Sequence, residues 1–583
     1  MTVFSQHTTS TVPVSHAGDA GRTARGTETE APPLRGDVLT TGHQPRTTLE
    51  SARWYAAGAR FEAPALPPTG APIGPAAVGS SQSGAGLAPI RILVEMRPAF
   101  DGHAGIPQET RLLFRGLSTR AGTTVEGLIQ SSNRVLAKGL PTADLSRWQP
   151  HQIIDRLSKL VVSMQPNPNP SRTEQRSYRS QIVLQPLMML IRTLLGLRTR
   201  LSYFEAAPFK DFVWRAMFAK TLPADDFALV TSARFRVARM PWSGLHRIGL
   251  MTSALGASVY PRFDTPDIDV LVAETPFPGR VSGGTKLVVR YHDAIPLLMP
   301  HTIIDRAYHR ASHFQALKRN LADGAWFACV SESTRRDLVS IFPFAAERAV
   351  TIPNMVSHHY FIENSSPARV VDILNARRTT AVEHKEGRSP LPKAGRPLPE
   401  RAPRYLLMVS TIEPRKNHLT LLSAWEQLRV LVERDLQLVF VGSLGWDHSA
   451  ILSKLKPWLK RGGLHLLEDV PAAELRVLYR HAEVTVCPSY AEGFDFSGVE
   501  AMRCGGVVAS SDIPVHREVY GEASEYFDPY SADDLGRVVG QLLVPSNQPR
   551  RTELARFGAE VSAQYLPERI LPKWQAFLER VVC

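Results

Sequence analysis

Cysteine is scarce in this chain, with four in 583 residues: Cys329, Cys487, Cys504 and Cys583. None form a C-x-x-C pair and no histidine cluster stands beside them, which argues against a disulfide framework or a zinc module and points to a reducing cytosol. Met1 to Glu30 has no apolar segment behind a basic start, so it does not read as a secretory leader. The apolar run Ile182 to Leu197 is broken by Pro186 and Arg192, and it falls short of the ~20 residues that a membrane-crossing helix needs.

What is present fits a soluble protein of more than one domain. A chain this long exceeds one hydrophobic core. Its 43% apolar and 21% charged residues are ordinary, whereas 45 prolines are many. A net charge of +13 suits nucleic acid, an anionic membrane surface or a nucleotide diphosphate. Nucleic acid is the weakest of these, since the basic segments lack the interleaved aromatic residues that would stack on bases.

Residues 1 to 88 are rich in Thr, Ser, Gly, Ala and Pro without apolar periodicity, and are expected to be disordered. Folding starts at Arg91-Ile-Leu-Val-Glu-Met96, followed by a Gly102 to Gly105 loop and a helical pattern at Leu112, Leu113 and Leu117. Strands are expected at 269–274, 286–293, 326–331 and 348–354, with helices at 303–322 and 333–341. Residues 89–361 thus form a first Rossmann-like domain on the acceptor side, with an insertion at about 140–260. Residues 362–404 lose the apolar period and gather Arg377, Arg378, Lys385, Arg388 and Lys393, so they read as a linker.

A second alternation of strands and helices fills 405–560, and a terminal helix at 561–583 is expected to pack back on the first domain. The fold class is therefore α/β, with two doubly wound domains facing a cleft. Ligands in such sheets bind outside the carboxyl ends of the strands.

Two loops at such ends carry chemistry. Ser410-Thr-Ile-Glu-Pro-Arg-Lys-Asn417 runs from a strand into a helix, where unpaired N–H groups with Arg415 and Lys416 would hold a diphosphate. Glu492-Gly-Phe-Asp-Phe-Ser-Gly-Val-Glu500 sets one carboxylate in a loop and a second on the helix that follows. Carboxylates accept pairs of hydrogen bonds from sugar hydroxyls, and Gly493 allows close backbone approach.

These residues, with Ser511-Asp-Ile-Pro-Val-His-Arg-Glu518 and Gly521 downstream, resemble the nucleotide-binding half of the family 4 (group 1) retaining glycosyltransferases of GT-B fold. The amino-terminal half resembles that family through the Gly102 to Gly105 loop, Tyr291-His-Asp-Ala-Ile-Pro296, Val330-Ser-Glu-Ser-Thr-Arg-Arg336 and Ile352-Pro-Asn354. The resemblance implies that Glu500 holds the nucleotide ribose, Glu492 contacts the donor sugar, and Lys416 binds the diphosphate. It further implies that His292 reaches the donor sugar across the cleft. Catalytic roles thereby fall to His292, Lys416 and Glu492. Gly105, Arg415, Lys416, Glu492, Gly493, Phe494 and Glu500 are the expected donor-binding set.

The sequence departs from the family in two places. Asp495-Phe-Ser497 stands where a Gly-Leu-Pro-like stretch is usual, and Thr411 where many relatives carry an arginine. Asp267-Ile-Asp269 is read as the start of a strand, and neither a metal nor any other cofactor is expected. The combined motifs look most like bacterial mannosyltransferases, implying GDP-mannose as donor and a saccharide or lipid-linked acceptor, though users of UDP-glucose, GDP-fucose and dTDP-rhamnose look similar.

Six arginines from Arg172 to Arg200 flank or interrupt the apolar run at 182–197. That segment reads either as an interfacial anchor on an anionic membrane or as a core helix, and the first reading makes the enzyme peripheral on the inner face of the plasma membrane. Alternatives that keep the fold are an epimerase or a phosphorylase, the latter needing a lysine-bound pyridoxal. Alternatives outside enzymology are a nucleic-acid-binding protein and an inactive scaffold.

Overall fold

The computed structural model describes residues 88–583 apart from 104, 141–147, 166–183, 255 and 384–401, with backbone alone over 378–383. The expected disordered tail up to residue 87, arginines 172, 176 and 179, and residues 384–401 of the charged linker lie outside the described residues.

The first lobe is built on eight strands: β1 (Ile90–Glu95), β2 (Thr123–Gln130), β3 (Ser202–Phe204), β4 (Arg234–Ala238), β5 (Val270–Ala273), β6 (Lys286–Tyr291), β7 (Trp326–Cys329) and β8 (Ala349–Thr351). They lie in the order β8-β7-β6-β5-β1-β2-β4-β3, parallel throughout except where β3 meets β4. Successive residues feed opposite faces. Ile92, Val94, Val270 and Val272 join the core on one side, and Leu93, Leu271, Leu287 and Val289 the core on the other. Burial on both faces is what a parallel sheet requires.

Part of the stretch read as an insertion belongs to this sheet, since β3 and β4 fall within 140–260. The strand signal of β4 is masked by its arginines. Arg236 is buried because Glu126 on β2 accepts from its Nε at 2.5 Å and Asp267 from its terminal nitrogens at 2.9 and 2.6 Å. Asp269 is likewise paired with Arg91 at 2.8 Å. Both aspartates of the D-x-D sequence therefore serve the amino end of β5, away from its cleft end.

The second lobe carries β9 (Tyr405–Val409), β10 (Gln437–Val441), β11 (Leu464–Leu467), β12 (Val484–Cys487), β13 (Val508–Ser511) and β14 (Ser524–Phe527). Their order is β11-β10-β9-β12-β13-β14, all parallel, which is the doubly wound arrangement with a switch point between β9 and β12. Leu406, Met408, Leu438 and Phe440 face one core, and Tyr405, Leu407, Val439 and Val441 the other.

The helices that shape the cleft are α1 (Ile106–Ser118), α2 (Arg306–Ala322), α3 (Glu332–Ile341), α4 (Ala368–Glu383), α5 (His418–Leu431), α6 (Phe496–Arg503), α7 (Pro514–Tyr520) and α8 (Pro567–Val582). Helix α4 corrects the linker reading over 368–383: Val370, Ile373 and Leu374 are buried in the second lobe, and Arg377 pairs with Glu474 at 2.7 Å. Helix α8 returns to the first lobe, where Ile570, Leu571, Trp574, Phe577, Leu578 and Val581 join its core, each worth roughly 1.5–3 kcal/mol of burial. Gly116 on α1 leaves the space that Leu571 fills, as a β-carbon there would lie 2.7 Å from its Cδ2.

Candidate active site

The two loops singled out in the sequence meet at the carboxyl ends of β9 and β12. Asn417 explains its own place in the first: it sits at φ 63°, a left-handed conformation that asparagine tolerates, and its amide donates to the carbonyls of Pro488 and Pro529 at 3.0 and 2.8 Å. The clip fixes the turn Pro414–Lys416 beside the exit of β12. Lys416 Nζ then reaches Glu492 Oε1 at 2.5 Å, and Arg415 bridges Glu492 Oε2 at 2.9 Å and Glu413 Oε1 at 2.8 Å. Burial acts to raise the pKa of Glu492, but Arg415 and Lys416 outweigh it and hold the carboxyl below its ordinary range.

Glu500 lies on α6 and is buried. Its Oε1 accepts from Gln108 Nε2 at 2.9 Å and its Oε2 from the Tyr479 hydroxyl at 3.1 Å. Burial pushes its pKa up to about 7, with the hydrogen bonds from Gln108, Tyr479 and Tyr360 opposing. Gln108 belongs to the first turn of α1, so the amino end of that helix points at the second lobe. Gly105 precedes it at φ 73°, with nothing near the position a β-carbon would take.

Asp495 occupies the departure from the family pattern, and the backbone shows why glycine suits that place. Its φ is 63°. The carboxylate compensates by capping α6, accepting from the amide and hydroxyl of Ser497 at 3.2 and 2.6 Å. Phe494, expected in the donor set, is buried with its ring against Phe496 and Tyr565, at centroid distances of 5.3 and 5.1 Å. Its ring is core packing.

The lobes are closed on one another at this place. A β-carbon on Gly493 would fall 1.8 Å from the carbonyl oxygen of His292, so only glycine permits the approach. Thr334 Oγ1 lies within 3.3 and 3.4 Å of the His292 and Gly493 carbonyls. Glu518 of α7 accepts from the amides of Glu332 and Ser333 at 2.5 and 2.8 Å, a carboxylate at the amino end of α3 where helix polarity favours it.

His292 follows β6, and its Nε2 stands 3.5 Å from Glu274 Oε2 at the end of β5. Glu274 is fully buried and the His292 side chain is 11% exposed. Burial pushes Glu274 up to about 8 and His292 down to about 4, so near neutrality a protonated carboxyl faces a neutral imidazole, and no ion pair forms. Glu95 completes the group by accepting from the Glu274 amide at 2.9 Å and pairing with Arg97 at 2.7 Å. Sequence reasoning named His292 but missed Glu274, Glu95, Gln108 and Glu518. Glu274 had a legible signal, as the last residue of an expected strand.

Two lobes of this topology, with basic and acidic side chains converging on their seam, define a GT-B glycosyltransferase fold. Residues 395–560 match the family described as glycosyl transferases group 1, and residues 217–360 match glycosyltransferase family 4. The chain belongs to these glycosyltransferases.

Among curated relatives, the O-antigen chain mannosyltransferase B of Escherichia coli is 27% identical over 262 residues, covering 44% of this chain and 61% of the relative. The serotype-specific mannosyltransferase WbdA of the same species is 25% identical over 44% of this chain and 29% of its own length. The MMP alpha-(1->4)-mannosyltransferase of Mycolicibacterium hassiacum is 34% identical over 27% of this chain and 36% of its own. The matches thus span less than two thirds of each relative. Of solved structures, sucrose-phosphate synthase from Thermosynechococcus elongatus covers 84% of this chain and 99% of its own at 14% identity and a TM-score of 0.50, a likeness of fold.

Proposed function

We propose that this protein is a retaining, metal-independent glycosyltransferase that moves mannose from GDP-mannose to a saccharide or lipid-linked acceptor in polysaccharide assembly. One observation carries the reading: Arg415 and Lys416 converge on Glu492 at the seam of the lobes, beside the close approach of Gly493 to His292. Curated relatives named as mannosyltransferases support the choice of sugar.

The residues divide the work as follows. An arriving diphosphate competes with Glu492 for Lys416 and Arg415, and charge developing on it during transfer is stabilised by ~3–4 kcal/mol per donor. Glu492, released from Lys416, accepts from a hydroxyl of the donor sugar. Glu500 accepts from the ribose hydroxyls once Gln108 lets go, so the lobes part before the nucleotide enters. The amino end of α1 behind Gly105 faces the phosphates, and Gly493 keeps the backbone close. His292, neutral near pH 7, hydrogen-bonds the sugar but brings no positive charge. The leaving diphosphate oxygen takes the acceptor proton on the face from which it departs. Closure excludes water and limits donor hydrolysis. A lipid-linked acceptor would keep the enzyme peripheral on the inner face of the plasma membrane.

Thermal unfolding with GDP, UDP, dTDP and their sugar conjugates, with and without EDTA, tests this. GDP and GDP-mannose are expected to stabilise the protein by about 2.7 kcal/mol at a hundredfold excess over Kd, unchanged by EDTA. Stabilisation by UDP or dTDP alone would reassign the donor. A folded protein that responds to no nucleotide would overturn the proposal.

A further inference from the structure

On the first lobe, outside the cleft, residues 184–194 form a helix that is apolar on nearly every side. Met189 and Leu190 pack against the lobe's core, while Leu187, Met188, Ile191, Leu194 and Leu195 stand exposed, the last two at 67% and 69%. The helix ends at Gly196, which takes φ 72°, and the Leu197 amide donates back to the Arg192 carbonyl at 2.9 Å. Immediately beyond that end lies a pocket of about 430 Å³ lined by Thr193, Tyr260 and the arginines 198, 262, 280 and 319.

The pocket is under-compensated. Asp264 lies 3.4 Å from Arg198, and Asp323 serves both Arg280 and Arg319 at 2.8 and 3.0 Å. Arg262 has no carboxylate partner among the described residues. Four guanidinium groups thus meet two carboxylates. An apolar ridge continuous with a cationic pocket matches one chemistry, an amphiphile with acyl chains and a phosphate head.

We propose that this helix and the arginine pocket at its carboxyl end bind an anionic phospholipid, with the exposed leucines in the acyl boundary and the phosphate among Arg198, Arg262 and Arg319. A second copy of the chain is disfavoured as the occupant, because the chain carries +13 overall and 184–200 holds three arginines and no acid, so two such faces repel. A bilayer with negative headgroups supplies both the apolar depth and the opposite charge. The inference stands apart from the transferase reading, and stabilisation by GDP is expected to be the same in every variant below.

Co-sedimentation of the full chain with lipid vesicles tests it. The protein is expected to partition onto phosphatidylcholine vesicles containing phosphatidylglycerol and to stay in solution with phosphatidylcholine alone. Arg198→Ala with Arg262→Ala should weaken partitioning by about 25-fold, near fivefold for each arginine. Leu194→Glu with Leu195→Glu, both at exposed positions, should abolish it. Absence of binding, equal binding to neutral vesicles, or undiminished binding of the leucine variant would each overturn the proposal. Displacement from vesicles by inorganic phosphate at constant ionic strength would also overturn it, showing a site for the free anion.

Discussion

The side-chain amide of Gln108 donates to the carboxylate of Glu500 over 2.9 Å, joining residues 392 apart in the chain and on opposite lobes. The same carboxylate is the proposed partner of the nucleotide ribose, so one acceptor serves two donors that cannot both be satisfied. Closure of the lobes without a ligand and binding of a ligand are thereby coupled.

Glu500→Ala is therefore expected to weaken GDP binding by at least ~10-fold, the loss of a charge-assisted pair of hydrogen bonds, whereas Gln108→Ala should leave affinity equal or tighter. Calorimetric titration of both variants with GDP separates the cases. If both weaken binding alike, Glu500 acts as a strut between lobes and not as a ribose ligand.

Lys416→Ala should lower turnover by ~10²–10³-fold with the fold retained, as removal of a preorganised donor at the developing charge does. Glu492 remains held by Arg415 at 2.9 Å, so the buried carboxylate is not left unpaired. Near-normal turnover in a variant with native circular dichroism would remove the diphosphate role.

Much of the fold was legible, for a definite reason. Strands β9 to β13 and β5 to β7 are buried on both faces, so each is a short apolar run between turn residues, and the expected bounds of β5 to β8 differ from the observed ones by a few residues. Strands β2 and β4 escaped because their burial rests on cross-strand charge, Arg236 against Glu126, and on Gly127, where a β-carbon would press Phe235 at 2.6 Å. Helix Ser449–Arg461 was hidden by its internal Pro457. Within the site, residues in motifs were visible. Gln108 was not, and Glu518 in its motif and Glu274 at its strand end were in view without a role, because only closure of the lobes or convergence of strand ends gives the three their partners.

Glu274 predicts a pH dependence of stability. Its pKa rises from 4.5 to about 8 on folding, so the folded protein keeps a proton that the unfolded chain releases. The stability this contributes is complete below pH 4.5 and is lost as pH climbs through about 8. Glu274→Gln stays neutral, so it should match the native protein in acid and exceed it by a few kcal/mol above about pH 8. His292 acts on the other limb: lowered from 6.5 to about 4, it contributes stability above pH 6.5 that is lost on acidification. Urea unfolding of both proteins from about pH 5 to about pH 9 reads the difference, and parallel profiles would show that the Glu274 carboxyl is ionised in the fold.

Gly493→Ala isolates the seam itself. The added methyl would sit 1.8 Å from the His292 carbonyl oxygen, and because the clash is with backbone, no rotamer relieves it. The lobes must stay apart by an ångström or more, a misplacement that costs turnover on the order of 100-fold. GDP binding, which rests mainly on Glu500, Arg415 and Lys416 of the second lobe, should change by less than about threefold, an effect below 1 kcal/mol. Gly283→Ala provides the control, as nothing lies within 4 Å of its β-carbon position, and both quantities should stay native. Turnover of Gly493→Ala close to native would mean that transfer occurs with the lobes further apart than they stand here, and His292 would lose its place beside the donor.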